Sequence, residues 1–273
     1  MAPSTDAPTV KPGRSRGCHS RSSMNLSSRE LERYGRQIGP GVLSEAAQLR
    51  LKESTALVTR VGGMGGPAAL MLTMSGIGRL IVAHGGELIS PDLNRQVLGT
   101  EEDLGRPRIE GFARRLRAAN RFVEIEAIDH EPDDAEAAAL ARRCNVLLSC
   151  PPGFEERMRL NRAAVEAGIP LVDAAQWGMT GTLIAVRPGE TACLACIYPE
   201  TPPFEESFPV IGAISSAIGS LAALEAIKII SLTGQPLWGK MLIFDGYGGA
   251  VNTIELSRRK SCPVCGDGRR AEP

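Results

Sequence analysis

A glycine-rich turn constrains the fold of this chain more than any other stretch. Ala56–Val58 has the composition of a short buried strand, and Pro67 suits the first turn of a helix. Four glycines lie between them: Gly62, Gly63, Gly65 and Gly66. Glycine permits the sharp turn that joins a strand to a helix, and the helix N-terminus then offers free amide N–H groups to a phosphate. The stretch therefore predicts an α/β unit with a place for phosphate.

The start of this turn departs from the usual dinucleotide-binding pattern. That pattern begins with a glycine where this chain has Arg60. A bulky cation thus stands where backbone normally approaches a phosphate. The turn supports the fold and weakens the expectation of ordinary nucleotide chemistry.

Alternating strands and helices follow the turn. The predicted strands after the first cover residues 79–84, 123–128, 145–150 and 170–174. The helices after them begin at Pro107, at Asp134 as the cap, and near Phe154. Short strand–helix alternation indicates a parallel sheet with helices on both faces, and 30 glycines with 4% aromatic residues suit such turns.

The alternation of strands and helices ends after Trp177. Residues 180–186, 241–244 and 251–256 look like strands of an antiparallel extension, with a long apolar helix near 210–230 between them. The predicted fold class is α/β: a Rossmann-like, doubly wound, mostly parallel sheet with an antiparallel extension.

The N-terminus predicts a tail and then one domain. Residues 1–26 are rich in Pro, Ser, Arg and Thr and are expected to be disordered. Ser27 and Glu30 form a capping box that opens a helix through Ile38, and a second helix is expected over 45–52. Residues 27–273 are predicted to be a single α/β domain that includes the metal module.

The net charge and the cysteines indicate which partners and which cellular compartment to expect. With 31 Lys+Arg against 31 Asp+Glu, no net field favours nucleic acid or an anionic membrane. The apolar run 208–224 is interrupted by small polar residues and predicts a helix in a soluble core. Seven cysteines without a secretory signal indicate a reducing compartment, so we expect a cytoplasmic protein.

Two CxxC pairs give the strongest chemical signal: Cys193, Cys196, Cys262 and Cys265. Four thiolates can surround zinc as a closed tetrahedron, which would stabilise the fold and leave no coordination position for chemistry. The alternatives are two unrelated thiol pairs or redox-active motifs. Of the other three cysteines, Cys18 lies in the expected tail, whereas Cys144 and Cys150 flank a predicted strand and suit a core.

Taken in order, these features resemble the ThiF/MoeB/HesA family, relatives of the ubiquitin-activating enzymes, over residues 32–266. The anchors are the stretches 33–38 (RYGRQI), 62–65 (GGMG), 93–96 (LNRQ), 105–107 (GRP), Arg157 with Leu160-Asn161, 170–173 (PLVD), the CxxC pairs, 221–228 (LAALEAIK) and Phe244-Asp245.

The resemblance implies an ATP- and Mg²⁺-dependent adenylation of the C-terminal glycine of a small ubiquitin-like carrier protein, in sulfur transfer or a related biosynthesis. It implies a dimer in which Arg36 reaches the neighbouring subunit's site. Gly62, Gly63 and Gly65 would face the nucleotide phosphates. Arg95 and Gln96 match the family's nucleotide-contacting pair, and Arg108 stands where the family has lysine.

The chain departs from the family at its acids. Where the family has Asp-x-Asp with the ribose ligand, the chain has His84-Gly85-Gly86, and Pro152 replaces the Asp that holds Mg²⁺. The stretch 198–209, where some members carry a catalytic cysteine, contains none. Each lost charged hydrogen bond is worth roughly 1.5–3 kcal/mol, so ATP and Mg²⁺ binding is expected to be weak.

Three functional hypotheses follow. The first is a binding or partner protein, as a homodimer or a heterodimer with an intact homologue, whose adenylation is weak or lost. The second is an active adenylyltransferase that recruits Mg²⁺ through other groups. The weakest is an NAD-dependent dehydrogenase, since the first glycine and the acid after the second strand are missing.

Arg60 itself leaves two alternatives. Its side chain either points to solvent or packs over the turn, or it lies in the vacated phosphate region near Arg95 and Arg108. In the second case three arginines without a balancing carboxylate would attract a metal-free anion, such as sulfate, phosphate or a partner's C-terminal carboxylate.

Overall fold

The computed structural model describes residues 25–203 and 209–267. The predicted tail therefore lies almost entirely outside the described residues, as does part of the stretch 198–209. The boundaries of the single domain stay a prediction.

The helices and strands follow the predicted order. The helices are α1 (Ser28–Tyr34), α2 (Glu45–Lys52), α3 (Gly65–Ser75), α4 (Arg108–Ala119), α5 (Asp134–Ala141), α6 (Phe154–Ala167), α7 (Leu194–Ile197) and α8 (Gly212–Ser231). The strands are β1 (Thr55–Thr59), β2 (Arg79–Ala83), β3 (Glu124–Ile128), β4 (Val146–Ser149), β5 (Leu171–Trp177), β6 (Thr180–Val186), β7 (Lys240–Asp245) and β8 (Ala250–Glu255). Short 3-10 turns at Ser90–Asp92 and Glu101–Asp103 lie between β2 and α4.

Three helix boundaries differ from the prediction, and the smallest difference is at α4, where Pro107 is the N-cap and the helix begins at Arg108. The capping box of Ser27 and Glu30 is present, but α1 ends at Tyr34, and the chain then turns so that the amides of Gln37 and Ile38 both donate to the Tyr34 carbonyl. The cap of α5 is Asp133 and not Asp134, since the Asp133 side chain accepts a hydrogen bond from the amide of Glu136. An N-cap residue satisfies the amide three positions on, which fixes the choice between neighbouring aspartates.

All eight strands form one sheet in the order β3-β2-β1-β4-β5-β6-β7-β8. The first five pair in parallel and the last three antiparallel, as predicted. The chain reverses its direction of winding between β1 and β4. In such sheets a crevice opens at the carboxyl ends of the strands at this switch point.

Hydrophobic cores lie on both faces of the sheet. Along β1, Ala56 and Val58 join one core while Leu57 joins the other, because successive strand side chains point to opposite faces. The first core includes α8, which by length and composition alone could cross a membrane. Its residues Ile214, Ile218 and Ala226 are buried against the sheet and α3. α8 is therefore a core helix, as predicted.

Candidate functional site

A cavity of about 560 Å³ lies at the carboxyl ends of the strands around the switch point. We call it the switch-point cavity. The lining residues that matter for its chemistry are Arg60, Gly62, Gly63, His84, Gly85, Asp92, Arg95, Gln96, Arg108, Pro152, Arg157, Gln176, Trp177 and Ser215. The candidate nucleotide-site residues of the sequence thus come together here, except Gly65, which begins α3 at the end of the turn, and Arg36.

The glycine turn forms one side of the cavity. A Cβ on Gly65 would lie 2.4 Å from the carbonyl oxygen of Arg60, so only glycine fits there. No side chain caps the N-terminus of α3. The Gly66 amide donates to the Gly62 carbonyl at 2.9 Å and Pro67 has no amide N–H, so among the described residues the Gly65 amide is the one in the first turn that is left for a ligand or solvent.

Arg95 and Arg108 share one carboxylate. Asp92, which is 5% exposed, contacts Arg95 Nη2 through Oδ1 at 3.2 Å and Arg108 Nη1 through Oδ2 at 3.1 Å. Arg108 also donates to the side-chain oxygen of Gln96 at 3.3 Å. Sequence reasoning assigned no role to Asp92. Its position in the turn before Arg95 is the signal that could have identified it.

Arg60 does not join that pair. Its Nη1 lies 2.8 Å from Glu131 Oε1, and its Nε donates to Glu156 Oε2 at 2.8 Å. Burial raises the pKa of Glu156, and the charge of Arg60 offsets this only in part. The expectation of three arginines without a balancing carboxylate is therefore wrong. Partly buried charges require a partner, and each of these guanidinium groups has one.

His84 stands at the end of β2 and is 7% exposed. Its Cε1 atom would lie 3.0 Å from a Cβ on Gly62, so the imidazole packs beneath the glycine turn. Burial, followed by the positive charge of Arg108, lowers the pKa of His84 to about 4. The side chain is neutral at pH 7 and cannot replace the missing acid.

A buried ion pair lies beside the cavity, which one of its two residues, Arg157, lines. Arg157 Nη1 donates to Asp173 Oδ2 at 2.9 Å, and Ser149 Oγ donates to Asp173 Oδ1 at 2.7 Å. Arg157 and Asp173 are 4% and 3% exposed. Cys150, the next residue after Ser149, has its pKa raised to about 12 by burial, as suits a core thiol and not a nucleophile.

The cavity continues toward the antiparallel strands. Gln176 accepts a hydrogen bond from Ser215 Oγ at the start of α8, and Trp177 at the end of β5 is 51% exposed. Neither residue carries a role in the sequence patterns described above. Arg36, in contrast, is exposed and does not line the cavity of its own chain among the described residues.

The four cysteines of the CxxC pairs meet in the second core, and their sulfur atoms all lie within 4.8 Å of one another. Cys193 Sγ is 3.7 Å from Cys262 Sγ, and Cys196 Sγ is 3.4 Å from Cys265 Sγ. Sulfurs about 2.3 Å from a tetrahedral zinc ion are about 3.8 Å apart. The cluster therefore has the size of a metal site and could bind zinc.

Backbone amides donate to two sulfur atoms of this cluster, while burial raises the pKa of Cys193 and Cys265. The amide of Arg259 donates to Cys196 Sγ at 3.4 Å. Burial opposes ionisation of Cys262, but hydrogen bonds from the amides of Cys265 and Val264 outweigh it and lower the pKa of Cys262 to about 7. A Cβ on Gly266 would lie 2.4 Å from the Cys262 carbonyl, so the tight turn after the second pair requires glycine.

Known proteins are similar to this chain in sequence. The ThiF family model matches residues 34–264. The chain is 43% identical over 250 residues to the heterocyst protein HesA of Trichormus variabilis, covering 89% of this chain and 92% of that protein. It is 32% identical over 252 residues to the sulfur carrier protein ThiS adenylyltransferase of Escherichia coli, covering 91% of this chain and all of the relative.

A solved structure shares the fold. The crystal structure of MccB from E. coli superposes with a TM-score of 0.76 at 22% sequence identity. The match covers 90% of this chain and 75% of that chain. At this identity the likeness shows the fold and nothing finer.

Proposed function

The chain belongs to the ThiF family, and on that premise we propose that it binds the C-terminal tail of a small ubiquitin-like or carrier protein, with ATP-dependent adenylation weak or lost. The tail would enter the switch-point cavity with its carboxylate toward the glycine turn. The pathway would be sulfur transfer or the biosynthesis of a cofactor or secondary metabolite in the cytoplasm.

The composition of the cavity carries this proposal. Its anion-binding half is kept, because the glycine turn that leads into α3 and the cations Arg95 and Arg108 line one space. The carboxylates that would bind the ribose and Mg²⁺ are absent from the described lining of the cavity. Asp92 is the one carboxylate among the described lining residues, and both of its oxygens already contact arginines.

ATP and Mg²⁺ fit this donor set poorly. Magnesium requires oxygen ligands in near-octahedral geometry and is commonly held by a carboxylate that is free to bind it. Pro152 supplies no such group, and His84 is neutral and packed under the turn. A carboxylate terminus needs only hydrogen-bond donors and positive charge, which the cavity offers.

Exchange of ATP with labelled pyrophosphate in the presence of a candidate carrier tests the catalytic half of the proposal. The E. coli ThiS adenylyltransferase with its carrier is the positive control. We expect exchange at the level of a sample without enzyme. Robust, Mg²⁺-dependent exchange would establish the alternative, an active adenylyltransferase that recruits its acids from elsewhere.

Titration with a peptide that ends in glycine tests the binding half. The free-acid peptide should bind, and the same peptide with an amidated C-terminus should not. The variant Arg95→Ala should weaken binding of the free acid by roughly 10- to 100-fold, since a charged hydrogen bond is worth roughly 1.5–3 kcal/mol. Equal affinity for the free-acid and the amidated peptide would show that the protein does not recognise the terminal carboxylate.

We further propose that the cysteine cluster holds a structural zinc ion. Cys193 and Cys262 lie 69 residues apart, so the metal would join the chain around α7 to the segment after β8. With four protein ligands it would leave no open position for chemistry.

The assembly would be a dimer, either with a second copy or with an intact homologue. The exposed position of Arg36 suits a residue that acts on a neighbouring subunit. An intact homologue as partner would supply the missing acids in its own site. Size-exclusion chromatography with light scattering, alone and with that homologue, distinguishes the two.

A further inference from the structure

The switch-point cavity ends at Arg60. The arginine lines the cavity, whereas Glu131 and Glu156, which hold its guanidinium, are not among the described lining residues. The two carboxylates thus lie behind the arginine as seen from the cavity. The Arg60 side chain therefore forms a wall at this end of the cavity, and ion pairs with the two glutamates hold its guanidinium in place.

Short contacts hold the Arg60 guanidinium on both of its sides. Glu131 Oε1 contacts Arg60 Nη1 at 2.8 Å and also accepts a hydrogen bond from the amide of Gly85 at 3.0 Å. The Glu156 side chain is 11% exposed and accepts from Arg60 Nε. The backbone of Arg60 has φ of 52°, a left-handed conformation that is uncommon outside glycine. Such a conformation persists where the surroundings enforce it.

The wall stands where a Rossmann-type site holds the ribose. In such sites an acid at the end of the second strand accepts hydrogen bonds from the ribose hydroxyls. A Cβ on Gly85 would lie 2.9 Å from Glu131 Oε2. The carboxylate that reaches over from the end of β3 therefore fills the space of a side chain at the end of β2. An acid is present at the ribose position, but Arg60 covers it.

We propose that Arg60 is a specificity-determining wall. It closes the part of the cavity at the ends of β1, β2 and β3 and so excludes the ribose of a nucleoside. Ligands are confined to the part lined by Arg95, Arg108, Gln176 and Trp177. The ligand class is a chain that ends in a carboxylate or phosphate and carries no nucleoside. The inference rests on the proposed function and adds a steric cause to its weak nucleotide binding.

Removal of the arginine tests the wall. The variant Arg60→Gly suits the left-handed backbone and uncovers Glu131. The probes are adenosine and 2′,3′-dideoxyadenosine, which lacks the 2′- and 3′-hydroxyls that the ribose acid would bind. Both are uncharged, so the cations Arg95 and Arg108 do not dominate binding. Affinities are measured by ligand-observed NMR titration.

We expect the wild-type protein to bind both probes weakly and equally. Arg60→Gly should bind adenosine about 10-fold more tightly than its dideoxy analogue, because a hydrogen bond to a charged group becomes available. The double variant Arg60→Gly/Glu131→Gln should lose most of this preference, which assigns it to the uncovered carboxylate.

Two further variants separate a lost wall from a lost fold. Arg79→Ala is the matched control, since Arg79 also contacts two glutamates, Glu124 and Glu126, and does not line the cavity among the described residues. It should leave both affinities unchanged. Arg60→Gly leaves Glu156 unpaired and could unfold the chain. Arg60→Gly/Glu156→Gln removes that charge and should show the same preference for adenosine.

Two results would overturn the wall. One is a wild-type protein that already prefers adenosine and loses the preference in Glu131→Gln, since Glu131 would then reach the ligand past Arg60. The other is a folded Arg60→Gly/Glu156→Gln variant with no preference. Neither measurement involves a carrier, a peptide or pyrophosphate exchange, so failure of the wall and failure of the proposed function are separate results.

Discussion

The pH dependence of stability gives a direct test of how His84 is packed. In the folded chain its pKa is lowered from 6.5 to about 4, by burial first and by the charge of Arg108 second. Above about pH 6.5 the imidazole is neutral in both the folded and the unfolded state. As the pH falls below this value, the unfolded state takes up a proton and the folded state does not. The free energy of unfolding must therefore decrease with falling pH.

The magnitude follows from the size of the shift. One pKa unit is worth about 1.4 kcal/mol, so the full contribution, reached near pH 4, is about 3 kcal/mol. Between about pH 7.5 and about pH 5 the expected loss is about 2 kcal/mol. This is a large share of a typical net stability of about 5–15 kcal/mol.

Urea denaturation of the wild-type protein and of His84→Gln at several pH values isolates the contribution of this one group. Other titrating groups contribute equally to both proteins and cancel in the difference. The wild-type protein should lose about 2 kcal/mol relative to the variant over that pH range. Parallel stability curves for the two proteins would refute the argument, because they would mean that His84 titrates normally in the folded state.

His130 supplies a control of opposite sign. It is exposed, and its hydrogen bonds to Asp129 and Glu136 raise its pKa. Its stabilising contribution is present below the unfolded pKa and disappears as the pH rises through the folded pKa. His130→Gln should therefore change the pH dependence in the direction opposite to His84→Gln, and by less, because exposed ion pairs are screened by solvent.

Four more predictions concern the metal, the nucleotide, the buried ion pair and the glycine turn. Elemental analysis should find one zinc per chain, and Cys262→Ser should release it and lower the melting temperature; a metal-free and fully stable wild-type protein would contradict the zinc site. Calorimetry with Mg-ATP should give a Kd much weaker than micromolar, the value that corresponds to about −8.2 kcal/mol, and tight Mg²⁺-dependent binding would show that the site is intact. Arg157→Leu should cost about 3–5 kcal/mol in urea denaturation because it leaves the carboxylate of Asp173 buried and unpaired, and the double variant with Asp173→Leu should recover part of this loss if the pair acts through its charge. Gly65→Ala should destabilise the chain by about 1–3 kcal/mol, because the new methyl group would meet the carbonyl of Arg60; an unchanged melting curve would contradict the packing of the turn.

Repair of the ATP site requires more than one change. Arg60→Gly opens the turn and uncovers Glu131 but is not expected to restore adenylation, because Pro152 still offers no carboxylate for Mg²⁺. Pyrophosphate exchange by this single variant would mean that the site is blocked and not dismantled. Adding a carboxylate at position 152 is the smallest further change expected to restore activity.

Local sequence determined the elements and their order. The glycine turn, the Ser27 capping box and the two CxxC spacings depend on residues within a few positions of one another, so their geometry follows from the backbone alone. Parallel pairing also followed from the short alternation of strands and helices. The family resemblance rested on these same motifs, and the comparisons confirm it.

Only the tertiary structure determined which charged side chains form ion pairs. Glu156 lies 96 residues beyond Arg60, and no local pattern connects them. The two residues come together because parallel strands end at the same edge of the sheet, where β1 and the start of α6 face the crevice. The sequence showed an arginine instead of a glycine. In the fold that arginine pairs with Glu131 and Glu156 and not with Asp92, the carboxylate that Arg95 and Arg108 share, because side chains that are distant in sequence compete for the same partly buried space.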